Sequence, residues 1–109
     1  MAYNEDTADR IRRVIVEMAL PDMSEKKMFG GLSFLYKGKM TVGIVKEDLA
    51  VRLLEEEMNH WLEQPWVRPM DFTKKPMKEF IFVEPEGFKS DNQLREFIGL
   101  GVAHAKSKI

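Results

Sequence analysis

The sequence predicts an α+β fold of two layers, an antiparallel sheet with helices on one face. Three observations carry this reading. Apolar residues recur at helical spacing near the beginning, the middle and the end of the chain. Between those stretches the apolar period falls to two, the spacing of strands buried on one side. Proline, glycine and clusters of charge fall where the period changes, as breaks between elements require. The expected order is α-β(3)-α-β(2)-α within one domain covering residues 1–109.

Each element has its own physical reason. Ile11, Val14, Ile15 and Met18 stand at i, i+3, i+4 and i+7, one stripe of a helix, with Arg10, Arg12, Arg13 and Glu17 on the other faces. Glu5, Asp6 and Asp9 crowd its beginning, where the helix dipole favours negative charge. Pro21 cannot donate the next backbone hydrogen bond, so the helix is expected over residues 4–20. From Lys26 to Leu53 the pattern alternates. Leu32, Phe34 and Tyr36 interleave with Ser33, Leu35 and Lys37. Met40, Val42 and Ile44 interleave with Thr41 and Gly43, and Leu49, Val51 and Leu53 with Ala50 and Arg52. That predicts a three-stranded antiparallel meander, with a tight hairpin at Lys37-Gly38-Lys39 and a second connection at Lys46-Glu47-Asp48. Met28 to Gly31 reads either as a short lead-in strand or as a bulge or turn.

Leu54, Met58, Trp61 and Leu62 then mark a short amphipathic helix ended by Pro65. Two extended stretches follow, Arg68–Thr73 and Met77–Val83. The second is apolar almost without interruption, as in a central strand covered on both faces, and Pro76 marks its beginning. Ser90 and Gln93 form a capping-box pattern at the head of the last helix. Its buried stripe is Leu94, Phe97, Ile98, Val102 and Ala105. Gly99 and Gly101 each cost about 1 kcal/mol relative to alanine in a helix interior, which implies close backbone packing or a kink.

Composition narrows the function. A chain of 109 residues, 44% hydrophobic and 32% charged, can fold around one core. Seventeen Lys/Arg against eighteen Asp/Glu leave a net charge of −1, which does not predict capture of nucleic acid or of an anionic membrane. With no cysteine, disulfides, thiolate chemistry and Cys-based metal sites are excluded. No run approaches the roughly 20 apolar residues of a membrane helix. The acidic start, Met1 to Asp6, has no apolar segment of the signal-peptide kind, so a cytoplasmic location is expected.

The candidate sites divide into structural and interacting residues. Gly30-Gly31 leads into a strand with no third spaced glycine and no following Lys, which fits a turn or bulge better than a phosphate loop. His60 and His104 have no further His or Cys within helical reach, so both read as surface residues, with no metal and no cofactor expected. No pairing of nucleophile, base and acid stands out from solvated charge, and a non-enzyme is expected. Trp66 lies between Pro65 and Arg68 in a loop. Trp66, Arg68, Lys74 and Lys75 form the expected partner-binding set, since exposed Trp and Arg concentrate at interfaces. The bland alternative folds Trp66 back onto the core. Arg10, Arg12 and Arg13 form a second basic group, but near-neutral charge and the core-like setting of Phe72, Phe80 and Phe82 disfavour direct nucleic-acid binding. A helix-free sheet face carrying Leu35, Val45 and either Phe80 or Ile81 predicts a weak homodimer, opposed by Lys37, Lys39, Lys74 and Lys75 at strand ends.

One resemblance sharpens this. The run Met28-Phe29-Gly30-Gly31-Leu32-Ser33-Phe34, then Gly38-Lys39-Met40, Arg68-Pro69-Met70-Asp71-Phe72 and Pro76-Met77-Lys78, resembles the N-terminal domain of the TfoX/Sxy family of bacterial competence regulators. The resemblance extends over nearly the whole chain. It implies an α-β(3)-α-β(2)-α two-layer fold similar to secretion-chaperone-like domains. Met28, Phe29, Gly30, Gly31, Pro69, Met70, Asp71 and Phe72 are then motif residues with structural roles. It further implies a non-enzymatic regulatory or protein-interaction domain, acting on transcription through a protein partner such as the transcription machinery. No catalytic residues come with it. Full-length members carry a further C-terminal domain, and this chain resembles a stand-alone copy of the first. The competing class is a small-ligand-binding protein or enzyme using a pocket between sheet and helices.

Overall fold

The structure, a computed structural model, describes residues 3–28, 30–69 and 79–108. Helix α1 (Glu5–Glu17) begins at Asn4, whose side-chain oxygen accepts from the Thr7 N–H. It stops short of Pro21. Glu17 is the last helical residue, Met18 caps it and Ala19 turns left-handed at φ 54°, so the helix ends three residues short of the expected span over residues 4–20.

Four strands then run back and forth: β1 (Met23–Met28), β2 (Gly31–Tyr36), β3 (Lys39–Val45) and β4 (Asp48–Arg52). Helix α2 (Glu55–Leu62), strands β5 (Val67–Pro69) and β6 (Phe80–Val83), a 3-10 turn at Pro85–Phe88 and helix α3 (Asp91–Ser107) complete the order. The six strands form one antiparallel sheet of order β1-β2-β3-β4-β6-β5. The meander therefore has one strand more than expected. Ser24, Glu25, Lys26 and Lys27 are all exposed, so β1 is solvated on both sides and shows no alternation to read. The expected strands Arg68–Thr73 and Met77–Val83 appear as β5 and β6; residues 70–78 lie outside the described residues.

A bulge in β3 decides which residues face the helices. Phe34 pairs with Val42, yet Leu35 pairs with Met40, which leaves Thr41 without an opposite residue. The buried Thr41 hydroxyl donates to the Phe34 carbonyl at 2.8 Å. Val42 and Ile44 keep to the helix side, whereas Met40 is carried to the far side with Ala50, Phe80 and Phe82. The sheet is thus apolar on both faces. β6 sits between β4 and β5 and buries all four of its residues, which accounts for its unbroken apolar sequence. Phe80, rather than Ile81, shares the helix-free face with Leu35 and Val45.

The helices cover the other face. Ile11, Val14 and Ile15 of α1, Trp61 of α2 and Leu94, Phe97, Ile98 and Val102 of α3 pack with Leu32, Phe34, Ile44, Val51, Ile81 and Val83. The capping box at Ser90 and Gln93 is present in both directions. Ion pairs join the two terminal helices, Arg10 to Asp91 at 2.9 Å and Arg95 to Glu17 at 3.0 Å. His104 corrects an expectation. It is 1% exposed, because it falls seven residues after Phe97 on the packed side of α3.

Candidate functional site

The glycine pair is architectural. Gly30 holds φ at +73°, and Gly31 opens β2 where its α-carbon faces β3 so closely that an added Cβ would lie 2.1 Å from the Ile44 carbonyl oxygen. Only glycine fits there. Met28 pairs with Gly31 across this turn. Pro69 ends β5, the outermost strand, where its missing N–H costs no ladder bond on the solvent side. Phe29, Met70, Asp71 and Phe72 lie outside the described residues.

Of the expected partner-binding residues, the two that are described, Trp66 and Arg68, lie on opposite sides of the sheet. Trp66 is half-buried and packs on the helix side, its ring 6.2 Å from Trp61 and 6.3 Å from Phe97. Gly87 leaves room for it, since a Cβ there would come within 2.3 Å of the indole. Arg68 points from the opposite face of the sheet. Its guanidinium lies 4.9 Å from the Phe82 ring centroid and pairs with Asp48 and, at 3.8 Å, with Glu84. Arg52 repeats the arrangement from β4, on the other side of β6, 5.0 Å from the Phe80 ring. Lys74 and Lys75 lie outside the described residues.

Two clefts were not singled out in the sequence. The larger, of about 530 Å³, opens between α1 and the edge of the sheet and is lined by Arg12, Ile15, Val16, Met23, Ser24, Glu25 and Phe34. Val16 is 77% exposed beside it, the one large apolar side chain so exposed among the described residues. Arg12 bridges the cleft wall, donating to both Glu25 carboxylate oxygens at 2.7 and 2.8 Å and to Asp9. That paired donation holds the Glu25 carboxyl below its usual range against the opposing effect of burial.

The second cleft, of about 470 Å³, is lined by Leu54, Glu55, Glu56 and Glu79. Glu79 has φ +65°, and its side-chain Oε1 lies 3.3 Å from the buried His104 Nε2, within ion-pair reach but outside hydrogen-bond geometry. Burial alone would raise the Glu79 carboxyl. His104, Lys108 and Arg52 together outweigh it and hold the group below its ordinary value. Among the described residues, no group of three or more His, Asp or Glu could hold a metal ion. No helix among them is long and apolar enough to cross a membrane.

An open antiparallel sheet of six strands, with three helices packed on one side and a bulged central strand, defines a small two-layer α+β domain. Its turn into β2 is one that Gly30 and Gly31 make possible. The chain belongs to the TfoX N-terminal domain family, which it matches over residues 17–105, nearly its whole length. No curated protein matches it.

Proposed function

We propose that this domain is a regulatory interaction module of the TfoX type, acting on transcription through a protein partner in the cytoplasm. Membership of the TfoX N-terminal domain family carries the reading. The fold agrees with it: the motif glycines serve the turn into β2, and the surface offers an open sheet edge with an adjoining apolar cleft. Affinity capture from the native cell tests it. Specific retention of a transcription component, reproduced with purified proteins, is the expected result. Failure of the native protein to retain any protein overturns it.

The 530 Å³ cleft favours a second reading, a small-ligand-binding domain, because apolar clefts of this size hold metabolites. A thermal-shift screen separates the two, since a specific ligand stabilises the native state by mass action. A reproducible shift with one metabolite class would reverse the order.

A further inference from the structure

We propose that the outer edge of β1 is a docking strand for an extended acidic segment of the partner protein, which adds to the sheet as a seventh strand. The proposal rests on the interaction-module reading above and names the surface it uses. β1 is the end strand of the sheet and pairs on one side only among the described residues. In an antiparallel ladder every second residue turns its N–H and C=O outward, so a six-residue edge presents a row of unpaired groups. Such an edge binds a strand by main-chain hydrogen bonds, and side chains select which strand.

The side chains along β1 select by charge and by apolar contact. Register with β2 places Met23, Glu25 and Lys27 on the helix face and Ser24, Lys26 and Met28 on the other. Arg12 already occupies both oxygens of Glu25. Lys26 and Lys27 are exposed, and among the described residues neither has a carboxylate within ion-pair distance. One unpaired ammonium therefore stands on each face of the edge. At the other end, Met23 adjoins Ile15, Val16 and Phe34 in the cleft between α1 and the sheet.

These positions specify an occupant. Side chains directly opposite on neighbouring strands lie on the same face. The incoming strand must set one carboxylate opposite Lys27, the next residue's carboxylate opposite Lys26, and an apolar side chain opposite Met23. Running antiparallel to β1 it reads acidic-acidic-x-x-apolar; running parallel, the reverse. The apolar residue enters the cleft and covers Val16. A second copy of this chain fits poorly. Antiparallel self-pairing centred on residue 25, 26 or 27 opposes Glu25 to Glu25, Lys26 to Lys26 or Lys27 to Lys27, and like charges directly opposite are destabilising.

The test is a titration of isotope-labelled protein with a synthetic peptide of ten residues carrying the acidic-acidic-x-x-apolar pattern. The expected result is saturable change in the amide signals of residues 24–27, with protection from hydrogen exchange. Binding of the acidic peptide should weaken with added salt, and should fall roughly tenfold, with little remaining salt dependence, when both carboxylates become amides. The double variant Lys26→Glu/Lys27→Glu, altered only at exposed positions, should lose the acidic peptide and gain one carrying lysines instead. No binding, signals that map elsewhere, indifference to charge reversal, or dimerisation through β1 overturns the proposal. Capture experiments keep it distinct from the reading beneath it. If native protein and double variant retain the same partner equally, the docking strand is wrong and the interaction module stands. If the native protein retains none, the module itself fails.

Discussion

Gly101 of α3 rests directly on the backbone of Thr41 in β3: a Cβ built on the glycine would lie 2.5 Å from the threonine carbonyl oxygen and 2.8 Å from its α-carbon. The helix crosses the sheet at the bulged residue, and only a side chain of hydrogen lets the two backbones meet. Gly99, two residues earlier, has nothing within 4 Å of such a position. The same substitution should therefore have opposite signs. Gly101→Ala gains helix propensity but forces α3 off the sheet, for a net loss of about 1–3 kcal/mol. Gly99→Ala should stabilise by about 0.5–1 kcal/mol. Urea denaturation of both variants checks this, and two shifts of the same sign would contradict the packing described.

The bulge itself depends on one hydroxyl. Thr41→Val keeps the volume and removes the donor to the Phe34 carbonyl, in a site with 0% exposure. A loss of about 1–2 kcal/mol is expected, since a buried acceptor is left without its partner. Thr41→Ser keeps the hydroxyl and should retain the slow amide exchange of Leu35 and Val42; Thr41→Val should lose it.

Face assignment can be checked with three truncations. Phe34 and Ile81 are 1% and 0% exposed on the helix side of the sheet. Alanine at either should cost about 2–5 kcal/mol. Glu56→Ala, on the exposed first turn of α2, should change stability by less than about 0.5 kcal/mol. Equal denaturation midpoints for the three would mean the faces are wrongly assigned.

Acid should loosen the join between α1 and β1. Glu25 is held below its ordinary value of 4.5 by Arg12, so its contribution is complete above that value and is lost as pH falls through the lower folded-state value. The carboxylate is 39% exposed, and solvent screening limits the effect to less than about 1 kcal/mol. Glu25→Gln should flatten the stability profile below about pH 4.5 relative to the native chain and leave its slope near neutrality unchanged. Chemical denaturation between pH 3 and pH 7 measures this.

What could be read in advance follows how far each residue's pattern was local. The stripes of α1 and α3, the capping box at Ser90 and the hairpin at Lys37-Gly38 are written in neighbouring residues, and the structure has them where the periods placed them. β1 was hidden because Ser24 to Lys27 bury nothing, and its pairing is dictated by the free side of β2 instead. A period of two predicts Met40 on the face of Val42 and Ile44, and the one-residue bulge, invisible to that period, carries it to the other. Residue type alone predicts a surface His104, although its spacing from Phe97 and Gly101 places it on the packed stripe. The α1–β1 cleft joins residues from separate elements, Val16 and Phe34 among them, and no local motif connects those.

Strand order also has a consequence for how the protein is made. β6 is the last strand to leave the ribosome, yet it lies between two that precede it, β4 and β5. Until Phe80–Val83 emerge, the nascent chain carries a complete meander whose edge at β4 is bare and, over Leu49–Val51, apolar. A message cut short before codon 80 leaves that edge permanently open to whichever strand arrives first. The last strand is thus the keystone of the sheet, and translation must reach it before the polypeptide is safe from its neighbours.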